Sequence, residues 1–145
     1  MDILVTSSGQ SRSTCIYGRD DRKFLDTLKP RMAWRGDEKG KITFRVGDIT
    51  EELPAADLLI SKDVLQHLSN ELVHTFIRNN LKQRKYRWAI LTNDRGSGNR
   101  DIPSGSYRAI DLSAPPFEVK GFVDLPIRFG NENKVASLLD FTQQH

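Results

Sequence analysis

The feature that most restricts how this chain can fold is a strand–helix–strand succession at its centre. ADLLIS (56–61) and YRWAILT (86–92) are apolar runs with little alternation, the texture of parallel strands covered by helices on both faces. Between them, Leu68, Leu72, Val73, Phe76, Ile77 and Leu81 recur at helical spacing and mark one buried stripe. Asp63 with Gln66 three positions later resembles a capping box, and Ser69 with Glu71 offers a second start in the same region. A parallel pair joined through such a helix crosses over right-handedly. The expected class is therefore α/β.

Flanking segments extend the pattern. ITFRV (42–46) alternates apolar and polar residues and runs into Gly47-Asp48. Beyond Thr92 the chain turns polar and small in NDRGSGNRDIPSGS, and APPF breaks it again near Pro115 and Pro116. A long loop leaving the C-terminal end of a strand is where α/β proteins place ligands. GFVDLPIRF and KVASLLDFT, separated by GNEN, predict an antiparallel closing hairpin. At 145 residues the chain suits one domain, 1–145, with 1–14 an atypical opening segment.

Composition narrows the function classes. No apolar run approaches the roughly 20 residues of a membrane span, and MDILVTSSGQ lacks the basic start and apolar stretch of a secretory signal. Cys15 is the only cysteine, which excludes an internal disulfide, and no Cys/His cluster is spaced for zinc. These features lead to the expectation of a cytoplasmic protein without a membrane partner or metal. The net charge of +3 is unevenly distributed. Six acids face Lys62 alone between Asp48 and His74, whereas Arg78, Lys82, Arg84, Lys85, Arg87, Arg95, Arg100 and Arg108 face only Asp94 and Asp101. A positive face of that kind attracts anions, although a solvated surface is the ordinary fate of such charge.

Taken in order, IYGRD, ITFRVGDI, LPAADLLISKDVLQHLSN, YRWAILTN, NRDIPSGSYRAIDLSAPPF and the final strand pair resemble a bacterial and phage family of class I S-adenosylmethionine-dependent methyltransferases. The resemblance covers roughly residues 15 to 145. It implies a Rossmann-like sheet, mostly parallel, with a C-terminal antiparallel hairpin, and S-adenosylmethionine as cofactor. By the same resemblance Asp20 would accept from the ribose hydroxyls, Asp48 would lie near the adenine amino group with Ile49 against the ring, and Ser61 and Lys62 would line the cofactor site. Asp63 and His67 would serve the transfer step, and Arg100, Asp101, Tyr107 and Arg108 would cover the side of a small-molecule or glycan acceptor.

Each residue also has a structural reading. Asp48 suits a turn or helix cap, and Asp63 a helix cap. The unperturbed pKa of histidine lies near neutrality, so His67 suits a general base, but it equally suits a half-buried histidine bonded to a carbonyl. His67 and His74 stand about 10 Å apart along one helix and cannot share a metal ion; His74 reads as surface. Trp88, Tyr86 and Tyr107 among the arginines raise nucleic-acid stacking, but Tyr86 and Trp88 belong to an expected buried strand, so nucleic acid is not the expected partner.

One part of the family pattern is missing. Class I methyltransferases open with a strand, a glycine-rich turn and a crossover helix. MDILVTSSGQSRST has a single glycine, and SSGQSRST is too short for the dozen or more residues a parallel crossover needs. The first strand and helix are thus absent or reshaped. Two arrangements answer this: self-association or a partner chain that completes the sheet, or a rearranged N-terminus with DILVT in the central slot. Pro30 ends any helix after Asp20 near Leu28 or Lys29. If catalysis is lost, the chain is a non-catalytic remnant of the fold, serving as a binding or assembly module.

Overall fold

A computed structural model describes residues 2–7, 12–17, 42–46, 48–82, 85–128 and 133–143. Its strands are β1 (Asp2–Ser7), β2 (Arg12–Tyr17), β3 (Ile42–Val46), β4 (Leu58–Lys62), β5 (Trp88–Asp94), β6 (Phe122–Arg128) and β7 (Lys134–Asp140). They form one seven-stranded sheet in the order β3-β2-β1-β4-β5-β7-β6. A single-turn 3-10 helix (Leu65–His67) and helix α1 (Asn70–Phe76), which continues as a π-helical turn over Ile77–Leu81, connect β4 to β5. The class is α/β, as expected.

Strand direction departs from the expectation of a mostly parallel sheet. β2 pairs with β3 in parallel and β4 with β5 in parallel, but β1 is antiparallel to both β2 and β4, and β7 is antiparallel to β5 and β6. The cause at β1 is the connection. Only residues 8–11 separate β1 from β2, a length that permits a hairpin and forbids a parallel crossover. DILVT accordingly fills the central slot, and the sheet has no gap there. Because β1 and β7 alone are reversed, β2, β3, β4, β5 and β6 all point the same way, and Asp48, Lys62, Asp63 and Asp94 lie at or just beyond the C-terminal ends of three of them.

The helix forms where its stripe predicts. Leu68, Val73, Phe76, Ile77 and Leu81 are buried, with Leu72 packed at the margin, against Leu59, Ala89, Leu91 and Leu139 of the sheet. Its cap is Ser69, whose hydroxyl accepts from the Leu72 amide at 3.4 Å, and not Asp63. The capping-box expectation at Asp63 fails because Val64 and a 3-10 turn intervene before α1 begins. β6 is an edge strand, which is why Pro126, lacking an amide hydrogen, is tolerated there. The register shifts between Asp124 and Arg128, a bulge of the kind that protects sheet edges.

Two polar networks tie loops to this frame. Asn80 has no exposed surface; its Oδ1 accepts from the Leu53 amide, and its Nδ2 donates to the Ile49 and Glu51 carbonyls. Arg95 reaches Asp124, Asp111, Ser113 and Ser137, clamping the loop after β5 to the β6–β7 hairpin. The Arg95 hydrogen bond holds the Asp124 carboxyl below the usual carboxylate range.

Candidate functional site

Asp63 follows β4 directly and has a left-handed backbone, φ 56°. A non-glycine residue holds that conformation only where its surroundings enforce it. Here its amide donates to Thr92 Oγ1 of β5 at 2.8 Å, and its carboxylate accepts from Lys134 Nζ at 2.7 Å and from Lys62 Nζ. Burial would raise the Asp63 pKa, but the hydrogen bonds from Lys134 and Lys62 outweigh it and hold the carboxyl below its ordinary value. Burial likewise disfavours a charged Lys134, yet Asp63 beside it, and the fields of Asp94 and Tyr107, raise its pKa and keep it an ammonium. Lys134 faces Asp94 across the β5–β7 ladder.

Asp94 itself is 2% exposed. Its Oδ2 accepts weakly from the Ile110 amide at 3.4 Å, while Oδ1 is buried without a partner. Ser61 Oγ and Asn93 Nδ2, near the ends of β4 and β5, are also buried and unpartnered. Unsatisfied buried polar atoms are rare and call for a water, an ion or a ligand group. Among the described residues there are seven such side-chain atoms: these three at the end of the sheet where α/β folds bind ligands, Asp57 Oδ2, Lys85 Nζ and Tyr86 OH at the starts of β4 and β5, and Arg108 Nε.

His67 closes the 3-10 turn. Its Nδ1 lies 2.9 Å from the Ser106 carbonyl oxygen, which can only accept, so Nδ1 carries the hydrogen in the neutral ring and Nε2 is the acceptor. Gln66 Nε2 is 3.4 Å from that atom. The Tyr107 ring, 53% exposed, lies 5.7 Å from the imidazole centroid. His67 and Tyr107 thus form one pair, and Asp63 and Lys134 another.

The loop after β5 is held against the start of α1. Asp101 Oδ1 accepts from the Asn70 and Ile102 amides at 2.7 and 2.9 Å, and these bonds draw its pKa down. Arg108 is 3% exposed, donating to the Leu68 carbonyl at 2.6 Å and to Asn70 Oδ1 at 2.9 Å. Gly105 and Arg108 amides donate to the His67 and Gln66 carbonyls. Asp101 and Arg108, read from the sequence as acceptor contacts, therefore hold the loop against His67; of that group Arg100, Asp101 and Tyr107 are exposed and Arg108 is buried.

Other sequence-derived residues are placed elsewhere. Asp48 is exposed, and its Oδ1 accepts from the Thr50 amide and hydroxyl at 2.9 and 2.8 Å, a local turn. Ile49 is 6% exposed and belongs to the core, offering little surface to a ring. Their segment is bound by Asn79 and Asn80 at the far end of the helix, roughly 15 Å along its axis from Ser69 and hence from His67. Asp20 lies outside the described residues. Asn93, Asp94 and Lys134 are functional candidates that the sequence reading does not contain. The position of Asn93-Asp94 at the end of an apolar strand is a signal for the first two; Lys134 has none, since its partner Asp63 is 71 residues away.

Among the described residues no group of His, Cys, Asp and Glu is arranged to hold a metal ion, and no helix is long and apolar enough to cross a membrane. No family model matches the chain, and no curated protein matches it significantly.

Proposed function

We propose that the chain is a class I S-adenosylmethionine-dependent methyltransferase-like protein acting on a small molecule or glycan. The observation that carries this reading is the strand order. Without β7 it is 3-2-1-4-5-6, the order of doubly wound nucleotide-binding sheets. The added strand belongs to the antiparallel closing hairpin that the resemblance implies, inserted between β5 and β6.

Ser61 Oγ, Asn93 Nδ2 and Asp94 Oδ1 are unpartnered but enclosed, on residues no more than 2% exposed, so a polar cofactor would have to uncover them; Asp48, exposed past the end of β3, has a second carboxylate oxygen for an amino group. The cofactor would supply an electrophilic sulfonium methyl. Exposed Tyr107 and Arg100 would border the acceptor, and catalysis would be mostly positioning. His67 Nε2 would take the proton from the acceptor oxygen or nitrogen as it attacks, while the Nδ1–H bond to Ser106 fixes the ring in the basic tautomer. Asp63, ion-paired to Lys134 and Lys62, would hold the end of β4 in its left-handed turn and so position the segment that leads to His67.

One observation favours a second reading, a non-catalytic binding or assembly module. The reversed β1 places a strand start, not a turn into a helix, at the centre of the ligand edge. Calorimetric titration of S-adenosylmethionine and its demethylated product separates the two. Saturable binding that is lost in Asp20→Ala and Asp63→Asn supports the enzyme; no heat at millimolar ligand refutes it and leaves the module. With β1 in the central slot, the completed-sheet argument for self-association no longer applies, and a second copy would have to use the β3 or β6 edge.

A further inference from the structure

We infer that the exposed strip 103–107 is a sugar-binding platform, on which a neutral pyranose stacks against the ring of Tyr107. The binding stands on the geometry of the strip alone. That the bound sugar is also the methyl acceptor rests on the methyltransferase reading above, whose acceptor class it narrows to a glycan.

Tyr107 is held from both sides. Before it, the Ser106 carbonyl accepts from His67 Nδ1 at 2.9 Å, the Gly105 amide donates to the His67 carbonyl at 2.8 Å, and Ser104 Oγ accepts from the Ser69 amide at 3.2 Å. After it, the Arg108 amide donates to the Gln66 carbonyl at 3.1 Å, and the buried Arg108 side chain donates to the Leu68 carbonyl and to Asn70 Oδ1. The chain is thus tied down at each neighbour of Tyr107, yet the ring itself is half in water, one of three large apolar side chains exposed among the described residues. An aromatic ring fixed through its backbone and left in solvent has already lost the freedom that binding would otherwise remove.

The surroundings select the ligand. Residues 103–107 are all exposed and none is charged. The Ser106 hydroxyl has no partner among the described residues, and Ser104 Oγ, which accepts from Ser69, still has its hydrogen to donate. Lys134, the cation whose charge interacts with Tyr107, is ion-paired with Asp63 at 2.7 Å, and Arg108 is committed to Leu68 and Asn70. A nucleic acid also stacks on tyrosine, but it requires uncommitted cations along the platform for its phosphates. A pyranose requires none, because its C–H face covers the ring while its hydroxyls meet those of the serines. The imidazole of His67, 5.7 Å from the Tyr107 ring and tilted 53° to it, is placed to meet a hydroxyl of a sugar seated there.

The probes are methyl β-D-glucopyranoside, methyl β-D-galactopyranoside and methyl α-D-mannopyranoside, titrated without cofactor into the full chain and followed by amide-resolved NMR, with hexathymidylate as the charged rival. At least one glycoside should give saturable shifts centred on residues 103–108 and His67, with an affinity that does not change as salt is raised. Tyr107→Ala, at an exposed position and with the rest of the spectrum unmoved, should weaken that glycoside about tenfold, whereas Tyr107→Phe, which keeps the stacking face, should change it less than about threefold. The proposal is overturned if no glycoside binds, if Tyr107→Ala binds as tightly as the wild type, or if hexathymidylate binds the strip more tightly than any glycoside and with steep salt dependence. The two readings fail separately. A chain that takes up S-adenosylmethionine but no glycoside loses the platform and keeps the methyltransferase reading; one that binds a glycoside but no S-adenosylmethionine keeps the platform and loses that reading.

Discussion

Replacing Asn80 with alanine is expected to destabilise the protein by about 3 kcal/mol. The side chain is fully buried and makes three hydrogen bonds, to the Leu53 amide at 3.0 Å and to the Ile49 and Glu51 carbonyls at 3.1 and 3.0 Å. Each such bond contributes about 1 kcal/mol net, and a buried group left unpaired costs its desolvation besides. Three bonds lost together amount to about a quarter of the stability of an ordinary domain. Asn80→Leu tests the same point without a void, since it preserves volume but leaves all three backbone groups without partners. The assay is urea unfolding followed by far-UV circular dichroism. With a slope of about 1.5 kcal/mol/M, the midpoint should fall by roughly 2 M at unchanged slope. Asn79→Ala is the internal control: its single bond, to the Thr50 carbonyl at 2.8 Å, predicts about a third of the loss. If Asn80→Ala shifted the midpoint no more than Asn79→Ala, the role of Asn80 as the tie between the β3–β4 connection and the helix would be wrong.

Further outcomes test the two loops. Gly105 has φ 94°, and a methyl group on its α-carbon would meet nothing within 4 Å, so Gly105→Ala should cost roughly 1–2 kcal/mol from backbone strain alone, read as a lower melting temperature; a neutral result would refute the loop conformation over His67. The Asp124 carboxyl is held low chiefly by the Arg95 hydrogen bond, and Asp111, despite its burial, is held low by Ser113, the Gly96 amide and Arg95. A carboxylate with a depressed folded-state pKa stabilises the fold above its unfolded value, about 4, and that contribution disappears as pH falls through the folded value. Melting temperature should therefore drop below about pH 4 in the wild type and drop less steeply there in Arg95→Met; parallel acid limbs would sink this account. Lys134→Met should raise the pKa of Asp63 toward that of a free aspartate, measurable by carbon-detected NMR titration, and an unmoved Asp63 would show that the ion pair does not set its charge.

Much of the sheet is legible in the sequence because strand runs announce themselves locally. ITFRV is β3 to the residue, and ADLLIS, YRWAILT and the closing pair miss β4 to β7 only at their ends. The helical stripe predicts which faces of Leu68 to Leu81 are buried, because period and burial have one cause. Direction is harder to read. The family pattern implies a mostly parallel sheet, but the SSGQSRST connection is too brief for a crossover and decides the matter locally in favour of a hairpin. Side-chain roles are least legible where partners are distant in sequence. Asp63 reads as a cap from its neighbours, and only Lys134 and Thr92, on strands far along the chain, reveal it as a strained, ion-paired residue. Arg108 reads as a free loop cation, yet Leu68 and Asn70 hold it inside.

The reversal of β1 has a consequence for recognition. Where a central strand runs parallel to its neighbours, its C-terminal end turns into a helix whose unpaired amides and dipole attract an anion, so that backbone does much of the binding. In this sheet the corresponding edge carries the start of β1, with Asp2 opposite Tyr17 and Lys62, and the end of β1, Ser7 opposite Arg12, lies at the other edge. No helix N-terminus follows β1 there. Under the proposed function, recognition at that edge falls, among the described residues, to side chains from the neighbouring strands: Lys134 at the start of β7, and Ser61, Asn93 and Asp94 at the ends of β4 and β5, which are no more than 2% exposed and would first have to be uncovered. Side-chain recognition is removed by single substitutions in a way that a backbone cradle is not. A ligand bound at this edge should accordingly lose most of its affinity with Asp94→Ala or Asn93→Ala, whereas the glycines of the following loop, Gly96 and Gly98, should tolerate alanine as far as binding is concerned. The opposite ranking would mean that the loop backbone, not the strand ends, holds the ligand.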